Sequence, residues 1–237
     1  MNEFETTAPD SGLRRSQLYR TQQQGGAEFA SLNGATVVKQ FAADDAQQLK
    51  SLAMVDLSML PRSGFKGRQA PEWLTRQGVE IPAEPNRATR QQDGSLVASL
   101  SVQEHLILSD LQITAGKPQQ LENDWQMDAD TACYALPRSD SHAWLLLTGE
   151  HLRDMLAKVC GIDFAAEEFA NHQVAQTSVA RLNSILIRDD VQLADGSTVL
   201  AFHLLCDVSS VEFMWDCLQD AMDEFGGKPA GLAALLA

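Results

Sequence analysis

The run Arg138-Ser139-Asp140-Ser141-His142 contains the three residue types of a serine hydrolase triad. A triad needs the serine and the histidine within hydrogen-bond reach, with the acid behind the histidine. We expect this run to be extended, so that Asp140 and His142 share one face and Ser141 points away. The chain has no G-x-S-x-G turn either. The run therefore predicts no triad, and indicates either a polar network that braces two strands or the remnant of a ligand pocket.

Three cations, Arg62, Lys66 and Arg68, lie in a glycine-containing segment that precedes a predicted helix. We expect this segment to be a loop. The backbone N–H groups and the dipole at a helix N-terminus favour an anion. The three side chains are therefore candidates for contact with an anion or an acidic partner surface, and a solvated turn is the alternative.

Arg181 and Asn183 are one residue apart between two apolar segments, so they should share a face of a strand. Arg181 paired with Asp140 or Asp56 would form a structural ion pair, and ligand contact is the alternative reading. Asp56 ends an apolar strand, where its carboxylate can also bind the backbone of the next loop.

The chain carries no sequence pattern for a metal or a nucleotide. None of its five histidines belongs to an H-x-H or H-x-x-x-H pair, and both the G-x-G-x-x-G and Walker patterns are missing. We predict no metal site and no catalytic constellation. The cysteines stand singly, so we expect reduced and mostly buried thiols; they are Cys133, Cys160, Cys206 and Cys217.

Composition excludes several classes of function. With 18 Lys and Arg against 32 Asp and Glu, the formal net charge is −14, which disfavours nucleic acid and anionic membranes as partners. The apolar runs fall far short of the roughly 20 residues that span a bilayer. The first residues carry Glu3 and Glu5 and no apolar core, so we expect a cytoplasmic protein without a secretory signal.

The order of predicted elements indicates an α+β fold. Residues 1–34, which include the polar run 22–26, are predicted to be a flexible tail. Two β-α-β-β units follow, over about 35–128 and 129–237, and suggest tandem ferredoxin-like halves. Chance similarity of two amphipathic helices is the alternative. The last helix is predicted from an apolar stripe between Val211 and Phe225, preceded by a capping box of Ser209 and Glu212.

Several segments, in order, resemble the gamma subunit of sarcosine oxidase, over residues 35 to the C-terminus. The segments that carry this resemblance are Asp56-Leu57-Ser58, Pro61-Arg62-Ser63-Gly64-Phe65-Lys66-Gly67, Pro85-Asn86, the run 133–144, Leu147-Thr148-Gly149, Cys160-Gly161-Ile162-Asp163, the run 176–183 and the run 220–227. The resemblance implies a folate-binding-domain-like fold, shared with the aminomethyltransferases of glycine cleavage.

The same resemblance implies a non-catalytic assembly subunit of a heterotetrameric flavoenzyme. Such an enzyme oxidatively demethylates an N-methyl amino acid and passes the one-carbon unit to tetrahydrofolate. Its alpha, beta and delta subunits would be the partners of this chain and would hold FAD, FMN, NAD and tetrahydrofolate, with no cofactor bound by this chain alone.

A protein that binds tetrahydrofolate and transfers one-carbon units by itself is the alternative. The aminomethyltransferases with this fold use a carboxylate beside the folate ring, which makes Asp56 a candidate. The other candidates for a remnant cofactor pocket are Asp140, His142, Arg181 and Asn183.

Overall fold

The computed structural model of the chain describes residues 4–112 and 116–236, which fall into two compact units. Unit 1 takes in the described residues of 1–59, 142–171 and 177–237. Unit 2 takes in those of 60–141 and 172–176. Each unit contains helices and a sheet of its own, so the α+β class predicted from the sequence is confirmed.

The strands of the described residues are, in chain order, β1 (Glu5–Thr7), β2 (Arg14–Arg15), β3 (Glu28–Leu32), β4 (Ala35–Gln40), β5 (Ala53–Asp56), β6 (Arg62–Lys66), β7 (Arg87–Arg90), β8 (Leu96–Ser101), β9 (Glu104–Leu108), β10 (Tyr134–Leu136), β11 (His142–Thr148), β12 (Val174–Val179), β13 (Leu182–Arg188), β14 (Val191–Gln192), β15 (Thr198–Val199), β16 (Ala201–Asp207) and β17 (Lys228–Pro229). The helices are α1 (Tyr19–Gln24), α2 (Asp45–Ser51), α3 (Ala70–Arg76), α4 (Lys117–Asp124), α5 (Arg138–Ser141), α6 (Leu152–Val159), α7 (Val211–Asp223) and α8 (Ala233–Leu236), with a 3-10 turn at Val208–Ser210 before α7.

The core of unit 1 is built on a six-stranded sheet with the order β12-β13-β16-β11-β5-β17. β11 pairs antiparallel with both β16 and β5. Its residues after His142 are all buried, so its sequence shows the continuous apolar run of a central strand rather than alternation. α7 packs on β16 and on α6, and its predicted stripe is confirmed from Val211 to Met222.

Unit 2 is built on a five-stranded sheet with the order β10-β6-β9-β8-β7. α4 packs on β6 and β9, and α3 packs on β9. The core between these elements contains fully buried side chains, including Phe65, Leu74, Ile107 and Leu121. This core leaves one side of Trp73 and Trp125 at its margin, where both are half-buried.

The predicted flexible tail is corrected for the described residues 4–34, and residues 1–3 lie outside them. The strands β1, β2 and β3 join β4 in a four-stranded sheet with the order β1-β3-β4-β2. Leu18 and Ala30 are fully buried in unit 1. Gln22, inside the polar run, is also buried, and its Nε2 donates to Asp56 Oδ2 at 2.8 Å. The polar composition predicted disorder. It does not reveal that β4 and Asp56 supply hydrogen-bond partners to this segment.

The predicted boundary between residues 128 and 129 does not coincide with the two units. β10, which follows that boundary, pairs with β6 of unit 2. β5, which precedes it, pairs with β11 of unit 1. Strand pairing at long sequence separation therefore determines the units, and it leaves no local signal in the sequence.

Candidate functional site

The predicted basic loop is corrected to a strand in its first part, because Arg62–Lys66 forms β6. Arg62 is only 2% exposed, and its guanidinium donates to the carbonyl oxygens of Leu60 and Ser139, each at 3.0 Å. Arg62 is thus a structural cation that holds two backbone segments of unit 2. Only Lys66 and Arg68 remain exposed at the surface.

A charged cluster lies beside β6 in unit 2. The Arg138 side chain packs over Gly64, where an added Cβ would stand 2.8 Å from Arg138 Cγ. A side chain at position 64 would therefore displace the arginine from this position. Arg138 donates from Nη2 to Glu104 Oε1, and Lys66 Nζ lies 2.8 Å from Glu104 Oε2. One carboxylate accordingly serves two cations.

The two cations determine the ionisation of Glu104. Burial is the largest single influence and raises the pKa of Glu104. The hydrogen bonds and charges of Lys66 and Arg138 together outweigh it, so the pKa lies below its usual value of 4.5. The cluster is thus charged at neutral pH, and it stabilises unit 2 rather than offering an unpaired group for acid–base chemistry.

The prediction that Asp140 and His142 share a strand face is wrong. Arg138–Ser141 forms the short helix α5, in which the backbone N–H groups of Asp140 and Ser141 both donate to Pro137 O at 3.1 Å. His142 is the first residue of β11, opposite Asp207. Hydrogen bonds from Ser209 and then the nearby His142 hold the pKa of Asp207 below its usual value. Asp140 in α5 and His142 in β11 therefore do not share a strand.

Asp56 closes the turn after β5. Its Oδ1 accepts from the backbone N–H of Ser58 at 2.9 Å, and its Oδ2 accepts from Gln22. The bond to Ser58 is the predicted contact of Asp56 with the backbone of the next loop, the alternative to a role beside folate. Both carboxylate oxygens therefore hold local structure in unit 1.

Arg181 is exposed, so it is not the inward arginine that the predicted ion pair with Asp140 or Asp56 requires; Asn183 is exposed as well. Ala180 and Arg181 connect β12 to β13 with positive φ angles of 47° and 69°, a two-residue hairpin turn. Only Asn183 lies in a strand. Arg181 lines a groove of about 380 Å³ in unit 1, together with Lys158, Phe213 and Asp220.

Unit 1 contains a buried series of polar side chains that no sequence motif predicted. Trp144 Nε1 donates to His203 Nδ1 at 3.0 Å, and His203 Nε2 lies 3.0 Å from Asp189 Oδ2. An indole nitrogen is only a donor, so His203 Nδ1 carries no proton and Nε2 donates to the carboxylate. All three side chains are at most 2% exposed. A histidine within the apolar run of β16 was the one available signal, because a buried polar group requires a partner.

The cysteines are free thiols. Cys133, Cys160 and Cys206 are buried, as predicted, and Cys217 is partly exposed. Burial, followed by the carboxylates of Asp207 and Asp56, raises the pKa of the Cys206 thiol to about 12. Such a thiol is unreactive at neutral pH.

Within residues 4–112 and 116–236, no group of three or more His, Cys, Asp or Glu side chains is placed to hold a metal ion. Over the same ranges, no helix is both long enough and apolar enough to cross a membrane.

The fold is similar to part of a solved aminomethyltransferase structure. Glycine cleavage system aminomethyltransferase T from Bartonella henselae superposes with a TM-score of 0.70 at 15% identity, over 95% of this chain. The chain spans 62% of the length of that protein. Because 95% of the chain is matched, the match must include part of residues 1–34.

A second solved structure is similar over a smaller share of this chain. It is a chain of the heterotetrameric sarcosine oxidase from Corynebacterium sp. U-96 in complex with pyrrole 2-carboxylate. It superposes with a TM-score of 0.59 at 20% identity, over 78% of this chain and 92% of that one. No protein-family model matches the sequence. No curated protein matches it either.

Proposed function

We propose that this chain is a gamma-type, non-catalytic assembly subunit of a heterotetrameric flavoenzyme like sarcosine oxidase. The enzyme would oxidatively demethylate an N-methyl amino acid and pass the one-carbon unit to tetrahydrofolate. Alpha, beta and delta subunits would hold FAD, FMN, NAD and tetrahydrofolate. The observation that carries this proposal is the match to a chain of such a heterotetramer over 92% of that chain.

The state of the titratable groups supports a non-catalytic role. Asp56 is occupied by Ser58 and Gln22. His203 and Asp189 are buried against each other, and Glu104 is shared by two cations. Acid–base chemistry needs a group within reach of a substrate proton. These side chains instead spend their hydrogen bonds on the fold.

Lys66 and Arg68 are the partner contacts that we retain from the basic segment, since both are exposed. We assign residues 35–237 to the gamma-like part of the chain and propose that it arose from two ferredoxin-like halves. In unit 2 the order β10-β6-β9-β8 with α3 and α4 follows the β-α-β-β-α-β arrangement of that motif, with β7 added at the edge. This one ferredoxin-like unit spans the predicted boundary between residues 128 and 129.

Co-expression tests the proposed function. The chain would be expressed with a tag beside the alpha, beta and delta subunits of the heterotetrameric sarcosine oxidase from its own organism. We expect a single gel-filtration peak that contains all four chains and absorbs as a flavoprotein, whereas the tagged chain alone is colourless. Elution of the chain by itself, at micromolar concentration with the other subunits present, would overturn the proposal.

A protein that binds tetrahydrofolate by itself is the second candidate, favoured by the 95% coverage in the aminomethyltransferase match. Calorimetric titration of the isolated chain with tetrahydrofolate separates the two. The subunit proposal predicts no heat of binding at millimolar ligand. Saturable heat that is lost in Asp56→Asn would instead establish the second candidate.

A further inference from the structure

A cleft of about 360 Å³ in unit 2 has the composition of a protein–protein contact. It lies between the C-terminal ends of α3 and α4 and the segment that leads to β10. Two indoles, one guanidinium and two carboxylates face it; they belong to Trp73, Trp125, Arg76, Asp124 and Asp128. We call it the indole cleft. Trp and Arg are among the residues enriched at interface hot spots.

Both indoles are held in place before any partner arrives. The Trp73 ring packs on Phe65 with 4.7 Å between ring centroids. Trp125 Nε1 donates to Cys133 O at 3.0 Å. Neither ring has to be ordered on binding, and a preorganised surface loses less entropy when it docks.

The wall of the indole cleft is anchored to the start of α3. Gln69 N donates to Ala132 O at 3.0 Å, and Gln69 Oε1 accepts from Ala132 N at 2.7 Å. Gly67 permits this close approach, because its φ is +135° and an added Cβ would stand 2.2 Å from Ala132 O. The segment that carries Trp125 and Asp128 is therefore fixed to the residues that precede α3, the helix of Trp73.

An exposed apolar side chain adjoins the indole cleft. Met127, between two residues that line it, is 76% exposed. Tyr134 in β10 is also exposed, but it is next to Ala135, which packs with Phe65 and Trp73, so the Tyr134 side chain lies on the other face of the sheet. An exposed Met beside two indoles in one cleft marks an interaction surface rather than scattered exposure.

The charge of the indole cleft selects a cation. Asp124 and Asp128 outnumber Arg76, and hydrogen bonds from Thr131 and then from the Asp130 N–H keep the pKa of Asp128 below its usual value. A cation over an indole face is attracted by the ring quadrupole as well as by the carboxylates.

We propose that the indole cleft docks a partner subunit through a lysine- or arginine-bearing segment, whose cation lies over the indoles beside Asp124 and Asp128. The inference rests on the proposed function, since it names the surface through which the subunit assembles. The proposal assigns to unit 2 the role of docking a partner subunit.

The test uses the co-expressed four-chain complex and a charge-altered pair of variants. Asp124→Lys with Asp128→Asn reverses the charge at position 124, removes the charge at position 128 and keeps a hydrogen-bond acceptor at 128. Glu167→Lys with Glu168→Gln makes the same change of charge at exposed positions of unit 1 and serves as the control. Met127→Ser, compared with Phe213→Ser in unit 1, tests the apolar contact in the same way. Circular dichroism of each isolated variant checks that it folds.

We expect the amount of the chain found in the complex to fall by roughly tenfold or more in the cleft variants. For Asp124→Lys with Asp128→Asn, this loss should be smaller at high salt, because salt screens the charges. The controls should assemble as the wild type does. Equal assembly of folded cleft variants and wild type overturns the docking surface and leaves the proposed function standing. Failure of the wild type itself to assemble overturns the proposed function instead.

Discussion

Two buried histidines, one in each unit, occupy similar positions within antiparallel strands and differ in their partners. His203 in β16 has both ring nitrogens hydrogen-bonded, one to Trp144 and one to Asp189. His105 in β9 has one contact, from Nδ1 to Ser99 Oγ at 3.0 Å, and its Nε2 has no partner among the described residues. The pKa of His105 is lowered, chiefly because burial disfavours the charged ring.

Burial alone therefore does not define the role of a histidine in this protein. His203 joins Trp144 to Asp189 through hydrogen bonds at both of its ring nitrogens, so its loss affects both neighbours. His105 relies on one hydroxyl, so it adds little that an apolar side chain could not. We therefore expect the two sites to respond differently to the same substitution.

The largest expected effect is that of His203→Leu. The substitution removes the His203 Nε2 donor from the buried Asp189 carboxylate and the Nδ1 acceptor from Trp144, which should lower the free energy of unfolding by about 3–5 kcal/mol. Urea unfolding followed by near-ultraviolet circular dichroism measures it. A loss below about 1 kcal/mol would contradict these hydrogen bonds of His203.

An intermediate effect is expected for Glu104→Gln in unit 2. The loss of a carboxylate that pairs with Arg138 and Lys66 should cost about 1–3 kcal/mol at neutral pH. Because the pKa of Glu104 is lowered in the folded state, its contribution is present above about 4.5 and is lost as the pH falls through the folded value. The variant should show a flatter decline of stability in acid.

Glu80→Gln, an exposed position in the same unit, is the control for that experiment. It should change the stability by less than about 0.5 kcal/mol. Equal effects of the two substitutions would mean that the charged cluster does not stabilise unit 2.

The smallest effect is expected for His105→Leu with Ser99→Ala. Replacing both polar partners by apolar groups should change the stability at pH 7 by less than about 1 kcal/mol. The ordinary pKa of histidine is 6.5, and the folded pKa of His105 is lower. Its contribution is therefore complete above 6.5 and is lost as the pH falls towards the folded value.

The wild type should accordingly lose stability just below pH 6.5, and the double variant should lack that component. Thermal unfolding from pH 7 to 5 measures the difference. Identical pH profiles for the two proteins would show that His105 does not titrate differently on unfolding.

The sequence predicted the elements whose pattern is local. The helix α7 follows from the apolar stripe between Val211 and Phe225. The predicted capping box of Ser209 and Glu212 is wrong. Ser210 is the N-cap of α7 and makes no side-chain cap hydrogen bond, while Asp207 caps the preceding 3-10 turn by accepting from the Ser209 N–H. Several short polar side chains compete for that position, and only the chain direction before the helix decides between them.

The sequence by itself determined the α+β class, the core stripes and the acidic character of this protein, because composition and periodicity act over a few neighbouring residues. The tertiary structure decided the partners of each polar group. It buried Arg62 in a strand, gave Gln22 to Asp56, and joined Trp144, His203 and Asp189. These contacts depend on strand pairing between residues far apart in the chain, and that pairing is determined only when whole sheets compete for the same core.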